Sequence, residues 1–363
     1  MKITIIIPLA GNRTFKMDQG TGSAFPKILN ELNGKLLLER AAQPLLGLPF
    51  EIEVKVVVPE AQVRQYNLDR VLSALDERIE VIPIDGETQG ATCTTLLSID
   101  NVALDSKVIV TSFEQIIDVR LEPLINEFID KEAECGVLTF DSIHPRFSYV
   151  MIDDVNNVLQ AAEKRPISRH AVAGLYYFSS ANEFFEAAKN TILNGSLESG
   201  YYLSNTINEY ILKGKKVVAV EIPKNKYFHF FDSHNVEQYE TSITSQRMNV
   251  SLLMLTRKYI AAFDSKNLDA IKEFLSPEFC LTDPAVKLKG VKDTLEYLNN
   301  LFKESPGLSF KERNIFVDGK TSIIEFELII DGKLHVGTDV ISWDNNEKML
   351  SMDAYLYEVN RGN

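Results

Sequence analysis

Ile3-Thr4-Ile5-Ile6-Ile7-Pro8-Leu9-Ala10-Gly11 has the composition of a β-strand running into a glycine-containing loop. A glycine just past a strand lets backbone amides approach a phosphate, and this one is followed by Arg13. Working outward, strand-like runs recur at 53–58, 79–83, 107–111, 135–140, 149–152, 174–178 and 216–222. Helical patterns lie between them at 35–46, 61–75, 92–98, 121–132, 183–194 and 202–213, and Val155-Asn156-Asn157-Val158 reads as a hairpin turn. That alternation is the signature of an α/β domain with a largely parallel sheet, which we place over residues 1–240.

Past Asp232 the pattern changes, and the polar stretch 235–250 shows no strand signal, so a second domain is expected over 241–363. It opens on an amphipathic helix carrying Leu252, Leu255, Tyr259, Ile260 and Phe263 at 3-4 spacing. Asn267 is suited to cap a second helix over 268–275. A short strand near Phe279 and a helix at 292–303 follow. Four strand-like runs are then separated by Asp318-Gly319, Asp331-Gly332 and Asp344-Asn345-Asn346, which are hairpin signals. The order α-α-β-α-β-β-β-β resembles the NTF2-like (SnoaL-like) family, in which a curved antiparallel sheet wraps helices into an α+β cone. Along 323–330, Ile323, Glu325, Glu327 and Ile329 alternate with Ile324, Phe326, Leu328 and Ile330, so one sheet face is expected to pack on the helices while the other is free for a partner.

Composition narrows the functional classes. The chain has 363 residues with a formal charge of −13, and 45% of them are hydrophobic, as in an ordinary globular protein. The acidity is concentrated in residues 1–245, net −10, against net −3 for 246–363. Nucleic acid is therefore an unlikely partner, and phosphate binding must rely on local cations, backbone amides and a metal ion. No apolar run approaches the roughly 20 residues of a membrane span, and 3–7 is too short for a signal-peptide core, so no membrane partner and no export signal are expected. Cys93, Cys135 and Cys280 are odd in number and widely spaced, which fits a reducing cytoplasm.

Four further segments carry chemistry. Glu87-Thr88-Gln89-Gly90-Ala91-Thr92-Cys93-Thr94 precedes a helix, and its small residues permit close contact with a base or sugar. Val108-Ile109-Val110 runs into Thr111-Ser112-Phe113-Glu114-Gln115, placing a carboxylate at a strand's C-terminal end, where open α/β sheets bind ligands. Later, Glu163-Lys164-Arg165-Pro166 supplies a lysine between strands, and Phe230-Phe231-Asp232-Ser233 a second acidic position.

With Pro8-Leu9-Ala10-Gly11, Pro26-Lys27-Ile28-Leu29 and Asn33-Gly34-Lys35, these segments in this order resemble sugar-phosphate nucleotidyltransferases, a GT-A-like, Rossmann-like fold. The likeness is greatest to the branch serving capsule and surface polysaccharides. The resemblance implies transfer of a nucleoside monophosphate from a triphosphate to a small phosphorylated acceptor, with Mg²⁺ and release of pyrophosphate. It implies backbone contacts to the nucleotide from Ala10 and Gly11, and a base pocket lined by Gln89 and Gly90. Lys27 would meet triphosphate or acceptor phosphate, Arg13 would stand near the family's loop arginine, and Lys164 would bind the acceptor's phosphate. Glu114 and Asp232 stand where the family places two metal-binding aspartates. The loop lacks the family's second glycine and Glu114 is one methylene longer than aspartate, so two other readings stay open: a non-catalytic nucleotide-binding protein, and a nucleotide-sugar glycosyltransferase, although the latter's D-x-D pair is missing.

His144-Pro145-Arg146-Phe147-Ser148-Tyr149 resembles the family's acceptor-side stretch, with a core-edge aromatic cluster as the alternative. Asp283, His335, Asp339, Trp343 and Asp353 could line the mouth of the cone, but a dimer surface or solvated strand is the preferred reading. The second domain is thus expected to serve assembly, as a homodimer, or acceptor recognition, without chemistry of its own.

Overall fold

The computed structural model describes residues 1–11, 14–15, 25–195, 200–230 and 233–359. The chain divides into two compact units, Met1–Tyr239 and Glu240–Asn363.

The strands of the first unit are β1 (Lys2–Pro8), β2 (Glu51–Pro59), β3 (Ile79–Ile84), β4 (Lys107–Val110), β5 (Gln115–Ile117), β6 (Cys135–Asp141), β7 (Tyr149–Ile152), β8 (Val158–Ala162), β9 (His170–Phe178), β10 (Val217–Glu221) and β11 (Tyr227–His229), together with the two-residue pair Glu31–Leu32 and Lys35–Leu36. Nine of them form one sheet in the order β8-β7-β9-β4-β1-β2-β3, with β6 joined to β9 and β10 to β6. The expectation of a largely parallel sheet holds for β4-β1-β2-β3, while β9 runs antiparallel to β4, β6 and β7. Ile3, Ile5, Ile6 and Ile7 are all at 0% exposure, so β1 is covered on both faces. Successive side chains of a strand point to opposite faces, which explains why this run is continuous rather than alternating.

Helices cover the sheet at α1 (Leu37–Leu46), α2 (Glu60–Tyr66), α3 (Leu68–Leu75), α4 (Ala91–Leu96), α5 (Leu121–Asp130), α6 (Ala181–Asn194) and α7 (Leu203–Leu212). The single helix expected over 61–75 is two, because Asn67 takes a left-handed conformation at φ 50°. Asparagine tolerates that region better than other residues with a β-carbon.

The stretch 235–250, read as a polar connection, is helical: α8 runs unbroken over Ser233–Asp264. Asn267 does cap α9 (Leu268–Phe274), its side chain accepting from the Ala270 N–H at 3.0 Å. The strands of the second unit are β12 (Leu275–Thr282), β13 (Lys287–Lys289), β14 (Ser309–Asp318), β15 (Thr321–Ile330), β16 (Lys333–Trp343) and β17 (Met349–Glu358), with α10 (Val291–Glu304) between β13 and β14. They form one sheet in the order β13-β12-β17-β16-β15-β14. Asp331 and Gly332 both have positive φ, as a two-residue hairpin turn requires. Alternation along β15 is realised: Ile324, Phe326 and Leu328 are buried in one core with Leu252, Tyr259, Ile260 and Phe302. The outer face carries Phe316 and Tyr355, which are 55% and 64% exposed.

Candidate active site

The strand order puts a topological switch point at β1. The chain leaves β1 for β2 on one side, continues to β3, and returns to β4 on the other side. Loops after β1 and β4 therefore diverge at the C-terminal edge and open a crevice between them.

The loop after β1 is held by backbone bonds. The Leu9 N–H donates to the Val57 carbonyl at 2.8 Å, and the Ala10 carbonyl accepts from the Thr88 N–H at 3.1 Å. Ala10 is fully buried. Gly11 is exposed, and among the described residues a Cβ there would meet Thr14 Oγ1 alone, at 3.6 Å. Among the described residues, nothing in the packing demands that glycine. Gly90 is the opposite case. Its φ is +135° and a Cβ would lie 2.3 Å from the Tyr201 carbonyl oxygen, so no other residue fits. The Tyr201 N–H donates to the Gln89 carbonyl at 3.1 Å, and the Tyr201 carbonyl accepts from Thr92 at 3.2 Å. The exposed Gln89 thus sits on a segment pinned between the β1 loop and Tyr201.

Tyr202, the next residue, holds Lys164. The ammonium donates to Tyr202 Oη at 3.0 Å and lies 4.6 Å from the ring centroid, a cation–π geometry. Lys164 itself takes a left-handed φ of 50°. Beside it, Glu163 accepts hydrogen bonds from Ser148 and, at 2.9 Å, from Ser204. The Glu163–Ser148–Ser204 set, and Tyr202 as the anchor of Lys164, were not evident from sequence, where partners lie up to 41 positions apart.

On the other side of the crevice, the Thr111 N–H bonds the Ile6 carbonyl at 3.1 Å, and the Phe230 N–H bonds the Glu114 carbonyl at 2.9 Å. The Glu114 N–H donates to Ser112 Oγ at 3.0 Å. Burial pushes the Glu114 carboxyl above the usual range, against the opposing effect of a hydrogen bond with Thr14. Thr14 thereby ties Glu114 to the β1 loop, a link sequence reading missed. Gln115 locks the same turn: its amide donates to the Ala173 carbonyl and accepts from Tyr227 Oη, both at 2.9 Å.

The structure therefore gathers Ala10, Gly11, Gln89, Gly90 and Glu114 around the switch point and joins Lys164 to the same group through Tyr201-Tyr202. Lys27 begins the 3₁₀ turn Lys27–Leu29, which packs on α1, and α1 packs on β5 directly after Glu114. Arg13 and Asp232 lie outside the described residues. His144-to-Tyr149 forms an aromatic cluster: Phe147 meets the rings of Phe140 and Tyr227 edge-on, and Tyr149 Oη donates to the His144 carbonyl at 2.7 Å.

Solved structures share the architecture of the first unit. A nucleoside-diphosphate-sugar pyrophosphorylase from Vibrio cholerae superposes with a TM-score of 0.56 at 18% identity, over 66% of this chain and 100% of that one. A UDP-glucose pyrophosphorylase complexed with UDP-glucose gives 0.52 at 13%, over 67% and 98%. The first unit thus has the nucleotidyltransferase fold. Residues 256–345 match the model of the SnoaL-like domain, so the second unit is of that class. No curated protein matches the chain in sequence.

Proposed function

We propose that the first unit is a sugar-phosphate nucleotidyltransferase. The observation that carries this reading is the convergence, at one switch point, of a clear glycine loop, a pinned base-side segment, a held lysine and a carboxyl raised by desolvation. In the reaction, an acceptor phosphate oxygen attacks the α-phosphorus in line, the bond to the β-phosphate oxygen breaks, and pyrophosphate leaves. Ala10 and Gly11 position the triphosphate through backbone contacts, Gln89 and Gly90 border the base, and Lys27 and Arg13 offset phosphate charge. Lys164 holds the acceptor phosphate. Both reactants are anions, so alignment and charge compensation carry the catalysis.

Mg²⁺ fits the chemistry of Glu114, a half-buried carboxylate whose burial no cation among the described residues offsets. No cluster of three or more potential ligands stands among the described residues, so Glu114, with Asp232, would share the ion with phosphate oxygens and water. When bound, Mg²⁺ neutralises charge developing on the phosphates. The altered loop and Glu114 also suit a second reading, nucleotide binding without turnover. Pyrophosphate release across nucleoside triphosphates and sugar phosphates with Mg²⁺ tests the enzyme reading. Saturable nucleotide binding with no release from any pair would decide for the second.

The polysaccharide-precursor role and a cytoplasmic location belong to the same proposal; the free thiols Cys93, Cys135 and Cys280 are compatible with the latter. Lys164→Ala is expected to raise KM for the acceptor at least about tenfold and to leave triphosphate binding within about twofold, since one charge-assisted phosphate contact is lost. Equal losses for both substrates would remove Lys164 from the acceptor side.

We also propose that the second unit pairs two copies of the chain through its outer sheet face. Phe316, Ile323, Val340 and Tyr355 share that face by register. An isologous contact through it closes as a two-fold dimer. Light scattering is expected to give a dimer for the full chain and a monomer for Phe316→Lys/Tyr355→Lys. A dimer that survives both changes excludes this face.

A further inference from the structure

The second unit encloses a cavity of about 430 Å³. Asp283, just past β12, and His335 and Asp339 on β16 line it, which overturns the preferred reading of these positions as a solvated strand or a dimer surface. Two residues grouped with them are elsewhere. Trp343 is buried, its Nε1 donating to Ser322 Oγ at 2.9 Å, and Asp353 pairs across the sheet with Val340 on the outer face.

Along β16 the inward positions are His335, Gly337, Asp339 and Ile341, and burial deepens from the half-buried first two to Asp339 and then Ile341 at 0% exposure. Gly337 is required there, because a Cβ would lie 2.3 Å from the Tyr355 carbonyl oxygen. Asp339 is only 6% exposed, and its cross-strand neighbours are Ile324 and Ala354, which offer no side-chain donor. No described residue donates a hydrogen bond to its carboxyl. The Nδ1 of His335 is likewise buried without a partner. By contrast, Asp283 is satisfied, accepting from the Ala285 and Val286 N–H groups and from Tyr297 Oη at 3.0 Å.

Buried polar atoms are almost always paired, and an unpaired carboxyl in an apolar cavity points to a partner that arrives with a ligand. The lining selects the charge of that partner. Tyr259, Phe279, Tyr297 and Phe326 present aromatic rings, and no lysine or arginine is among the described lining residues. An anion would find no lysine or arginine among these residues and would face the carboxyls of Asp283, Asp339 and Glu358, whereas a cation finds both aromatic faces and a carboxylate. We propose that the cavity binds a small, largely apolar molecule carrying one ammonium group, with the ammonium on Asp339 and the apolar body against the rings.

Proton linkage separates this ligand from a neutral one. Burial, with the nearby Asp283 charge, pushes Asp339 up to about 7. The other titratable groups facing the cavity are Tyr259 from α8, Tyr297 from α10, His335 on the same strand, and Tyr357 and Glu358 at the end of β17. An ammonium favours the carboxylate and displaces its proton, so it binds more tightly as pH rises through that value. A carbonyl or hydroxyl that accepts from the protonated acid does the reverse.

The test is calorimetric titration of the full chain with phenylbutylamine, with phenylbutanol and phenylbutanoate as neutral and anionic isosteres. The amine is expected to bind at one site, about tenfold more tightly near pH 8 than near pH 6, with proton release visible in buffers of different ionisation enthalpy. The alcohol and the acid should bind at least about tenfold more weakly than the amine. Asp339→Asn should abolish the amine's pH dependence and weaken it at least about tenfold, leaving the alcohol unchanged. Tighter amine binding at lower pH, an alcohol that equals the amine, or no saturable amine binding would each overturn the proposal.

Discussion

Glu114→Ala is expected to lower Mg²⁺-dependent pyrophosphate release by at least about 10²-fold, the usual cost of removing one preorganised charge from a transition state. The fold around it should persist, because the turn is held by groups the substitution leaves in place. The Glu114 carbonyl accepts from Phe230, its N–H donates to Ser112, and Gln115 keeps its bonds to Ala173 and Tyr227. Thr14 loses an acceptor and nothing else. Glu114→Gln keeps the shape without the charge and should be as impaired as alanine. Glu114→Asp should retain metal-dependent turnover, since aspartate supplies the same ligand one methylene back. The acid limb follows from the same carboxyl: burial raises it, so activity that needs the carboxylate falls as pH drops through that raised value, and the limb should vanish in the glutamine variant. Unchanged Mg²⁺ dependence in both the alanine and the glutamine variants would dissolve the proposed site.

The parts of this chain that sequence made legible are those with short-range causes. An unbroken isoleucine run marks a strand covered on both faces, an Asp-Gly pair marks a hairpin, and Asn267 marks a helix start, each because the deciding interaction spans a few residues. Reading failed where the signal was thin or distant. Along 235–250 only Tyr239 and Ile243 are buried, too few to show a helical stripe, although α8 passes through. β5 and β11 are three residues each, shorter than any alternation, yet they bring Phe230 beside Glu114. The site motifs were visible as segments, but their joints were not: Lys164 meets Tyr202 across 38 positions, and Thr88 meets Ala10 through backbone groups that carry no residue signature. For the cone, period two placed His335 and Asp339 on one face, but whether that face looked at solvent or at a cavity depended on α8 and α10, far away in sequence.

Asp339→Asn is expected to stabilise the second unit at neutral pH, because the cavity holds the aspartate at a cost to the fold. A carboxyl whose folded pKa is raised binds more protons in the native state than in the unfolded chain, so its contribution to stability falls as pH climbs. With an ordinary value of 3.8 and a folded value of about 7, the loss begins near pH 4 and is complete near pH 8. Three pKa units correspond to about 4 kcal/mol. The asparagine variant lacks this term, so the two proteins should unfold alike near pH 4 and diverge by up to about 4 kcal/mol near pH 8, with the variant the more stable. Trp343 makes the measurement specific. It is the chain's single tryptophan and is 1% exposed in the cone, so its fluorescence in a denaturant titration reports the second unit. An asparagine that destabilises at pH 8 would mean that the aspartate is already paired in the folded protein. A carboxyl that weakens its own domain, in a cavity with no described donor to meet it, is accounted for by what it binds, and an ammonium ligand should recover the lost stability in the wild type while stabilising the variant far less at the same concentration.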